Sequence, residues 1–211
     1  MSDRVRHCLD RITARDAAVR GWVYVDEQAT QLPGTDAGEL SGLTAGIKDV
    51  IDVAGMVTSH GSAIFAANRA GQDAEAVRRL RAAGALILGK TVTAEFATYS
   101  PGPTHNPRKS GHTPGGSSSG SAAVVADGQA DLALGTQTAG SMIRPASFCG
   151  TLGFKPSFGR YPLAGVLETS PNLDTLGVFA QTLEILTRAD AALSGEGERP
   201  PPNCALVVGL C

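Results

Sequence analysis

The sequence predicts an α/β fold in which helices cover both faces of a central, mixed and largely parallel sheet. Helical and strand-like segments alternate along the chain, an order typical of parallel strands joined by helical connections. Two short apolar runs, at residues 85–88 and 132–134, have the composition of buried strands. Such strands occur where both faces of a sheet are covered.

The first part of the chain predicts a helix, an interrupted strand and a second helix. Apolar residues recur at near-helical spacing over residues 3–20, which predicts an amphipathic helix packed on the main body. The β-branched run around Lys48 and Asp49 predicts strand segments separated by a turn. Further along, Asp73 is expected to cap a helix that ends at Gly84.

The middle of the chain combines a long loop with short elements. Residues 99–116 are rich in Pro, Gly, Ser and Asn, and a loop of this length predicts a functional role. After it, residues 122–126 predict a short helix, and residues 136–141 predict a turn into another short helix.

The composition divides the chain into four segments. They are an N-terminal helical segment at 1–40, the main core at 41–195, a Pro-rich linker at 196–203 and the start of a further strand at 204–211. Because that apolar strand has no closing element after it, we expect a chain that is truncated at its C-terminal end.

Composition and charge exclude several classes of function. The 211 residues include 18 Lys and Arg against 20 Asp and Glu, without a basic cluster, so no nucleic-acid partner is expected. The four cysteines show no spacing typical of a zinc site or a disulfide framework, and no metal is expected. A charged start and the lack of a long apolar run predict a cytoplasmic protein with no membrane partner.

Two motifs match known binding or catalytic sequence patterns but lack the context that each pattern requires. Residues 84–91 fit the phosphate-loop pattern, but a helix precedes them and the intervening residues are apolar and strand-like. Residues 116–120 fit the nucleophile elbow around Ser118, which needs a later histidine. All the histidines precede Ser118; they are His7, His60, His105 and His112.

A serine nucleophile can instead use a neutral lysine. Burial can lower the pKa of a lysine from about 10.4 toward neutral pH. Among the four lysines, Lys48 is suitably placed at the interrupted strand, although a surface lysine is the alternative. The 26 glycines are a larger share of the 211 residues than the average of about 7%. We expect them to mark loops where the backbone approaches a ligand.

Three Gly- and Ser-containing blocks occur in order along the chain. They read Gly46-Ile-Lys48-Asp49, Pro114-Gly-Gly-Ser-Ser-Ser-Gly-Ser121 and Gly135-Thr-Gln-Thr-Ala-Gly-Ser-Met-Ile-Arg-Pro-Ala146. With further matches at 148–150, 153–156 and 173–177, the chain resembles the amidase signature family over residues 43–190. The resemblance implies the amidase signature fold and hydrolysis of an amide by a Ser–cis-Ser–Lys triad.

The resemblance also implies the roles of individual residues. Lys48 would be the base, Ser117 the bridging serine and Ser141 the nucleophile, with no metal or cofactor. The backbone N–H groups that would form the oxyanion hole are those of Thr138, Ala139, Gly140 and Ser141. Residues with supporting roles would be Ser118, Arg144 and Asp174.

The sequence departs from the family pattern just before Ser141. It has Gln137-Thr-Ala139 where the family often has Asp-x-Gly, so a negative charge is lost and the Cβ of Ala139 restricts the backbone. This variant favours a free-standing amidase that hydrolyses a small-molecule amide to an acid and ammonia or an amine, with a homodimer left open. The alternatives are the glutamine-hydrolysing component of a tRNA-dependent amidotransferase and an inactive fragment of an amidase.

Overall fold

The computed structural model of the protein describes residues 3–26 and 38–196. Within these residues, helices and strands alternate through most of the chain. They are α1 (Asp3–Val19), β1 (Trp22–Val25), β2 (Thr44–Lys48), α2 (Glu75–Ala82), β3 (Leu86–Thr91), α3 (Ser119–Ala126), β4 (Leu132–Gln137), α4 (Ile143–Cys149), β5 (Leu152–Phe154), β6 (Thr175–Ala180) and α5 (Leu183–Ser194).

The six described strands form one mixed sheet in the order β1-β3-β2-β4-β6-β5. The central strands β3, β2 and β4 are parallel, and α2 and α3 provide the crossovers that such pairing requires. The outer pairs, β1 with β3, β4 with β6 and β5 with β6, are antiparallel. The predicted mixed sheet is therefore confirmed, with its parallel part confined to the centre.

Helices cover both faces of this sheet, as predicted. One buried apolar cluster includes Val77 and Leu80 of α2 and Ile185 of α5. A second cluster includes Val124 of α3 and Met142, which precedes α4. Burial on both faces explains why β2, β4 and β6 are apolar or small along most of their length rather than alternating.

Most elements predicted from periodicity are present, with different bounds. The strand predicted at 85–88 runs on to Thr91 and the one at 132–134 runs on to Gln137, since both are buried at each residue added. The expected helix cap at Asp73 is wrong. Its carboxylate accepts the N–H of Ala54 and pairs with Arg81, and Ala74 precedes the helix instead.

Three strands and one helix were not predicted, and the strands carry little periodicity. The strands β1 and β5 have four and three residues, and β6 is an unbroken buried run followed by α5. Strand β1 lies in the segment predicted to be helical and pairs with β3. The predicted linker at 196–203, apart from Glu196, and the strand at 204–211 lie outside the described residues.

None of the helices in the described ranges is long and apolar enough to cross a membrane.

Candidate active site

The candidate site lies where β2 and β4 end, at the carboxyl edge of the parallel strands. This edge is where ligands bind in open α/β sheets. A cavity of about 450 Å³ opens there and is lined by Ser117, Ser141, Thr138, Ala139 and Arg144, together with residues of the 94–102 loop. The structure therefore brings the second and third motif blocks to the wall of one cavity.

Lys48 is the last residue of β2, and its side chain is fully buried beneath this cavity. Its Nζ donates to Oγ of Ser117 at 2.8 Å and to Oγ1 of Thr136 at 2.7 Å. Burial lowers the pKa of Lys48 from its ordinary 10.5 to about 7, and the negative charge of Asp174 opposes this change. A neutral amine is thus accessible near neutral pH.

Ser117 is the serine of its run whose hydroxyl contacts Lys48. The peptide bond between Gly116 and Ser117 is cis, and the Ser117 carbonyl accepts the N–H of Ala94 at 3.0 Å. The side chain is almost entirely buried and reaches both the lysine below it and the cavity above it.

The hydroxyls of the two serines that follow form hydrogen bonds to main-chain groups. The Ser118 hydroxyl is fully buried, donates to the carbonyl of Thr136 at 3.1 Å and accepts its N–H at 3.3 Å. The Ser119 hydroxyl donates to the carbonyl of Val92 at 3.3 Å at the start of α3. Both hydroxyls therefore join neighbouring strands to α3.

Ser141 is partly exposed in the cavity, just before α4 begins. The helix start is capped by Gln137, whose Oε1 accepts the N–H groups of Met142 at 2.8 Å and Ile143 at 3.1 Å. The departure from the family pattern thus has a structural use. The Gln137 amide holds the turn that carries Ser141 without adding a charge.

Ala139 does not need the backbone freedom of a glycine. Within the described ranges, the non-glycine residues with positive φ are Arg20, His60, Phe96 and Ala97. At Gly140 an added Cβ would lie 2.8 Å from Nη2 of Arg144, the end of a flexible side chain that can move aside. The exposed Arg144 side chain lies over this glycine at the rim of the cavity.

Asp174 joins two loops of the site. Its Oδ1 accepts the hydroxyl of Thr138 at 2.5 Å, and its Oδ2 accepts the N–H groups of Thr169 at 2.6 Å and Ser170 at 2.7 Å. The carboxylate is buried and fixes the turn after β4 relative to the 169–170 loop.

Two contacts of the site were missed by sequence reasoning. Thr136 provides the second hydroxyl for Lys48, and Gln137 caps the turn before Ser141. Both residues lie within the third motif block, so their position was available, but their contacts depend on the strand pairing. In the described part of the chain, no group of three His, Cys, Asp or Glu is arranged to hold a metal ion.

The chain matches a family model and curated relatives. The family model described as Amidase matches residues 3–205. A curated relative from Treponema pallidum, the A component of its glutamyl-tRNA(Gln) amidotransferase, is 44% identical over 180 residues, covering 80% of this chain and 36% of the relative.

Solved structures show the same similarity. The native peptide amidase of Stenotrophomonas maltophilia is 32% identical with a TM-score of 0.83, covering 95% of this chain and 47% of that one. A protein from a vestigial complex that reveals the origins of an s-triazine catabolic enzyme is 35% identical with a TM-score of 0.84, covering 97% and 48%. The chain thus spans less than half the length of these relatives.

Proposed function

Because this chain belongs to the Amidase family, we propose that it carries the base and the nucleophile of an enzyme that hydrolyses carboxylic amides through an acyl-enzyme. One observation supports this most strongly. A fully buried lysine with a pKa lowered to about 7 donates to the hydroxyl of Ser117 at 2.8 Å. Ser141 lines the same cavity as Ser117.

The proposed proton path runs from the nucleophile to the lysine. Neutral Lys48 accepts the proton of Ser117 while Ser117 accepts that of Ser141, whose oxygen attacks the amide carbonyl. Thr136 orients the base, because a neutral amine that donates to its hydroxyl keeps its lone pair for Ser117. The same groups return the proton to the leaving amine.

The negative charge that develops on the carbonyl oxygen needs donors at the cavity wall. Thr138, Ala139 and Ser141 line the cavity in the turn between β4 and α4, and we assign the oxyanion hole to the N–H groups of residues 138–141. Asp174 and Gln137 hold this turn at its two ends. Water then releases the acid from Ser141, and the path uses no metal or cofactor.

The release of ammonia or an amine from a panel of amides tests this function. Ser141→Ala should abolish hydrolysis and Lys48→Met should reduce it steeply. Ser118→Ala is the matched control, since its hydroxyl contacts the Thr136 main chain, and it should keep substantial activity. Equal loss in Ser118→Ala would overturn the assignment of Ser117 and Ser141.

A second function is favoured by the similarity to amidotransferase components. At 44% identity to the Treponema pallidum relative, the same residues would hydrolyse glutamine to supply ammonia to a partner-bound reaction. Glutaminase activity that appears only with co-purified partner proteins would favour this function. A third alternative, an inactive fragment, would be favoured by a folded chain that hydrolyses neither small amides nor glutamine.

A cytoplasmic location is proposed for the protein, and a homodimer is left open for the free-standing amidase. Cell fractionation and light scattering of the purified protein test the location and the assembly state separately from its activity.

A further inference from the structure

A second lysine is as fully buried as Lys48 and is absent from the proposed proton path. Lys90 lies on β3, and its Nζ is 3.1 Å from Oδ1 of Asp49, with both side chains fully buried. The same Nζ donates to the hydroxyl of Thr58 at 2.8 Å and to the carbonyl of Val57 at 3.3 Å. Oδ1 of Asp49 has no other described partner, so the Lys90 charge is its compensation.

Asp49 directly follows Lys48 and joins the end of β2 to its surroundings. Its N–H donates to the carbonyl of Thr91 on β3 at 3.0 Å, and its carbonyl accepts the N–H of His60 at 3.0 Å. Its Oδ2 accepts both the N–H and the hydroxyl of Ser59. The backbone from which Lys48 projects is therefore held on both sides at Asp49.

The pair does not touch the reacting groups. Lys90 pairs with Ile47 in the sheet and Lys48 pairs with Thr91, so the two lysines point to opposite faces. Lys48 contacts Ser117 and Thr136, whereas Asp49 contacts Lys90. A buried ion pair adds little net stability compared with apolar residues of the same volume, so stability alone does not account for this pair.

Asp49 adjoins Lys48 along the chain and pairs with Lys90, so the two opposite charges oppose each other in their effect on Lys48. At an effective dielectric constant near 20, a single unit charge about 10 Å away changes a pKa by about one unit. Two opposite charges at similar distances largely cancel. Removing one of them would expose Lys48 to the other.

We propose that Asp49 and Lys90 form a positioning pair for Lys48, which fixes the end of β2 and keeps the charge beside the base balanced. The proposal rests on the proposed function for the role of Lys48 as the base. The other charged groups that act on these lysines are Asp174 at Lys48 and Asp52 at Lys90. His60 lies close enough to Asp49 and Lys90 to be influenced by both. Asp174, Asp52 and His60 are unchanged in the variants below.

The chain has only four lysines, so the titration of Lys48 can be observed directly. Protein labelled with ¹³C-lysine gives four side-chain signals by NMR, and Lys48→Met assigns one of them. In Lys90→Met the unbalanced Asp49 should raise the pKa of Lys48 by about half a unit to one unit. In Asp49→Asn the unbalanced Lys90 should lower it by a similar amount, and the double variant should return it toward the wild-type value.

Arg4→Met is the matched control. Arg4 pairs with the buried carboxylate of Asp131 at 2.6 Å, beside Thr44 at the opposite end of β2, so the pKa of Lys48 should stay unchanged. Unchanged or equally directed shifts in the two single variants would overturn the proposal. If Lys90→Met fails to fold, the nearly isosteric Asp49→Asn decides alone, since a decrease supports the proposal and no change overturns it.

Activity is measured separately on the same variants. The acid limb of kcat/KM against pH should move with the NMR titration in each variant. Opposite NMR shifts in a chain without hydrolysis would count against the proposed function and still support the positioning pair. Hydrolysis with an unchanged pKa of Lys48 in the variants would support the proposed function and overturn the positioning pair.

Discussion

The amine of Lys48 lies 2.7 Å from the hydroxyl of Thr136, slightly closer than to the hydroxyl of Ser117. A neutral amine has two N–H groups and one lone pair. If one N–H is donated to Thr136, the lone pair can face the Ser117 hydroxyl, which is the direction that proton transfer requires. Thr136 is thus placed to set the direction of the lone pair of Lys48.

Replacing Thr136 with Val keeps its shape and removes this contact. We expect Thr136→Val to lower kcat by about fivefold, with KM nearly unchanged, because a lost hydrogen bond of about 1 kcal/mol loosens the orientation of the base. Steady-state kinetics on a primary amide measures the effect. Thr136→Ser retains the hydroxyl and serves as the control, and wild-type kinetics in the Val variant would contradict the role of Thr136.

The activity should depend on pH through Lys48. Only the neutral amine can accept a proton, and burial lowers the pKa of Lys48 to about 7. The rate should therefore rise about tenfold per pH unit well below that value and level off above it. Plots of kcat/KM against pH across the neutral range test this, and an acid limb governed by a group with the ordinary pKa of a lysine would contradict it.

The same burial should make Lys48 costly for stability. Unfolded Lys48 keeps its proton to about pH 10.4, whereas the folded form releases it near pH 7. Between these values the unfolded state binds more protons, so the wild-type free energy of unfolding rises with pH by up to about 1.4 kcal/mol per unit.

Lys48→Met removes this titration together with the base. It should hydrolyse amides far more slowly than wild type yet be more stable at neutral pH, and its advantage in stability should shrink as the pH rises toward the ordinary pKa of a lysine. Urea unfolding at several pH values measures the difference. A variant that is less stable than wild type at neutral pH, with the same pH dependence, would contradict the burial cost.

Gln137 should stabilise the start of α4, next to Ser141. Gln137→Ala removes the acceptor of two N–H groups at α4 and should cost about 1–2 kcal/mol of stability, as the loss of a helix cap does. Gln137→Glu keeps an acceptor at a helix start, where negative charge is favourable, and should retain stability. Thermal unfolding compares the two variants, and equal losses would argue against capping.

The resemblance to a known family, carried by the motif blocks, predicted the site residues that lie in these blocks. The lysine at the end of β2 and the serines of the Gly-rich blocks were identified with their positions. Which serine of the 117–119 run faces Lys48 depends on the backbone at Gly116, which no periodicity reports. The contacts of Thr136 likewise arise only when β4 pairs beside β2.

The fold shows the same division. Long periodic segments such as α1 were predictable, whereas β5 has three residues and depends on pairing with β6. The segment ending in Lys90 was recognised as a strand and not a phosphate loop, and β3 confirms this. Its fully buried ion pair with Asp49 could not be seen in the sequence, because the two residues are far apart along the chain and meet only through strand pairing.

The identity of the nucleophile is tested most sharply by mapping the covalent adduct of a fluorophosphonate probe with peptide mass spectrometry. We expect an adduct on Ser141, formed faster as the pH rises through about 7 and nearly abolished in Lys48→Met. An adduct on Ser118, or labelling that persists in Ser141→Ala, would contradict the proposed roles of Lys48, Ser117 and Ser141.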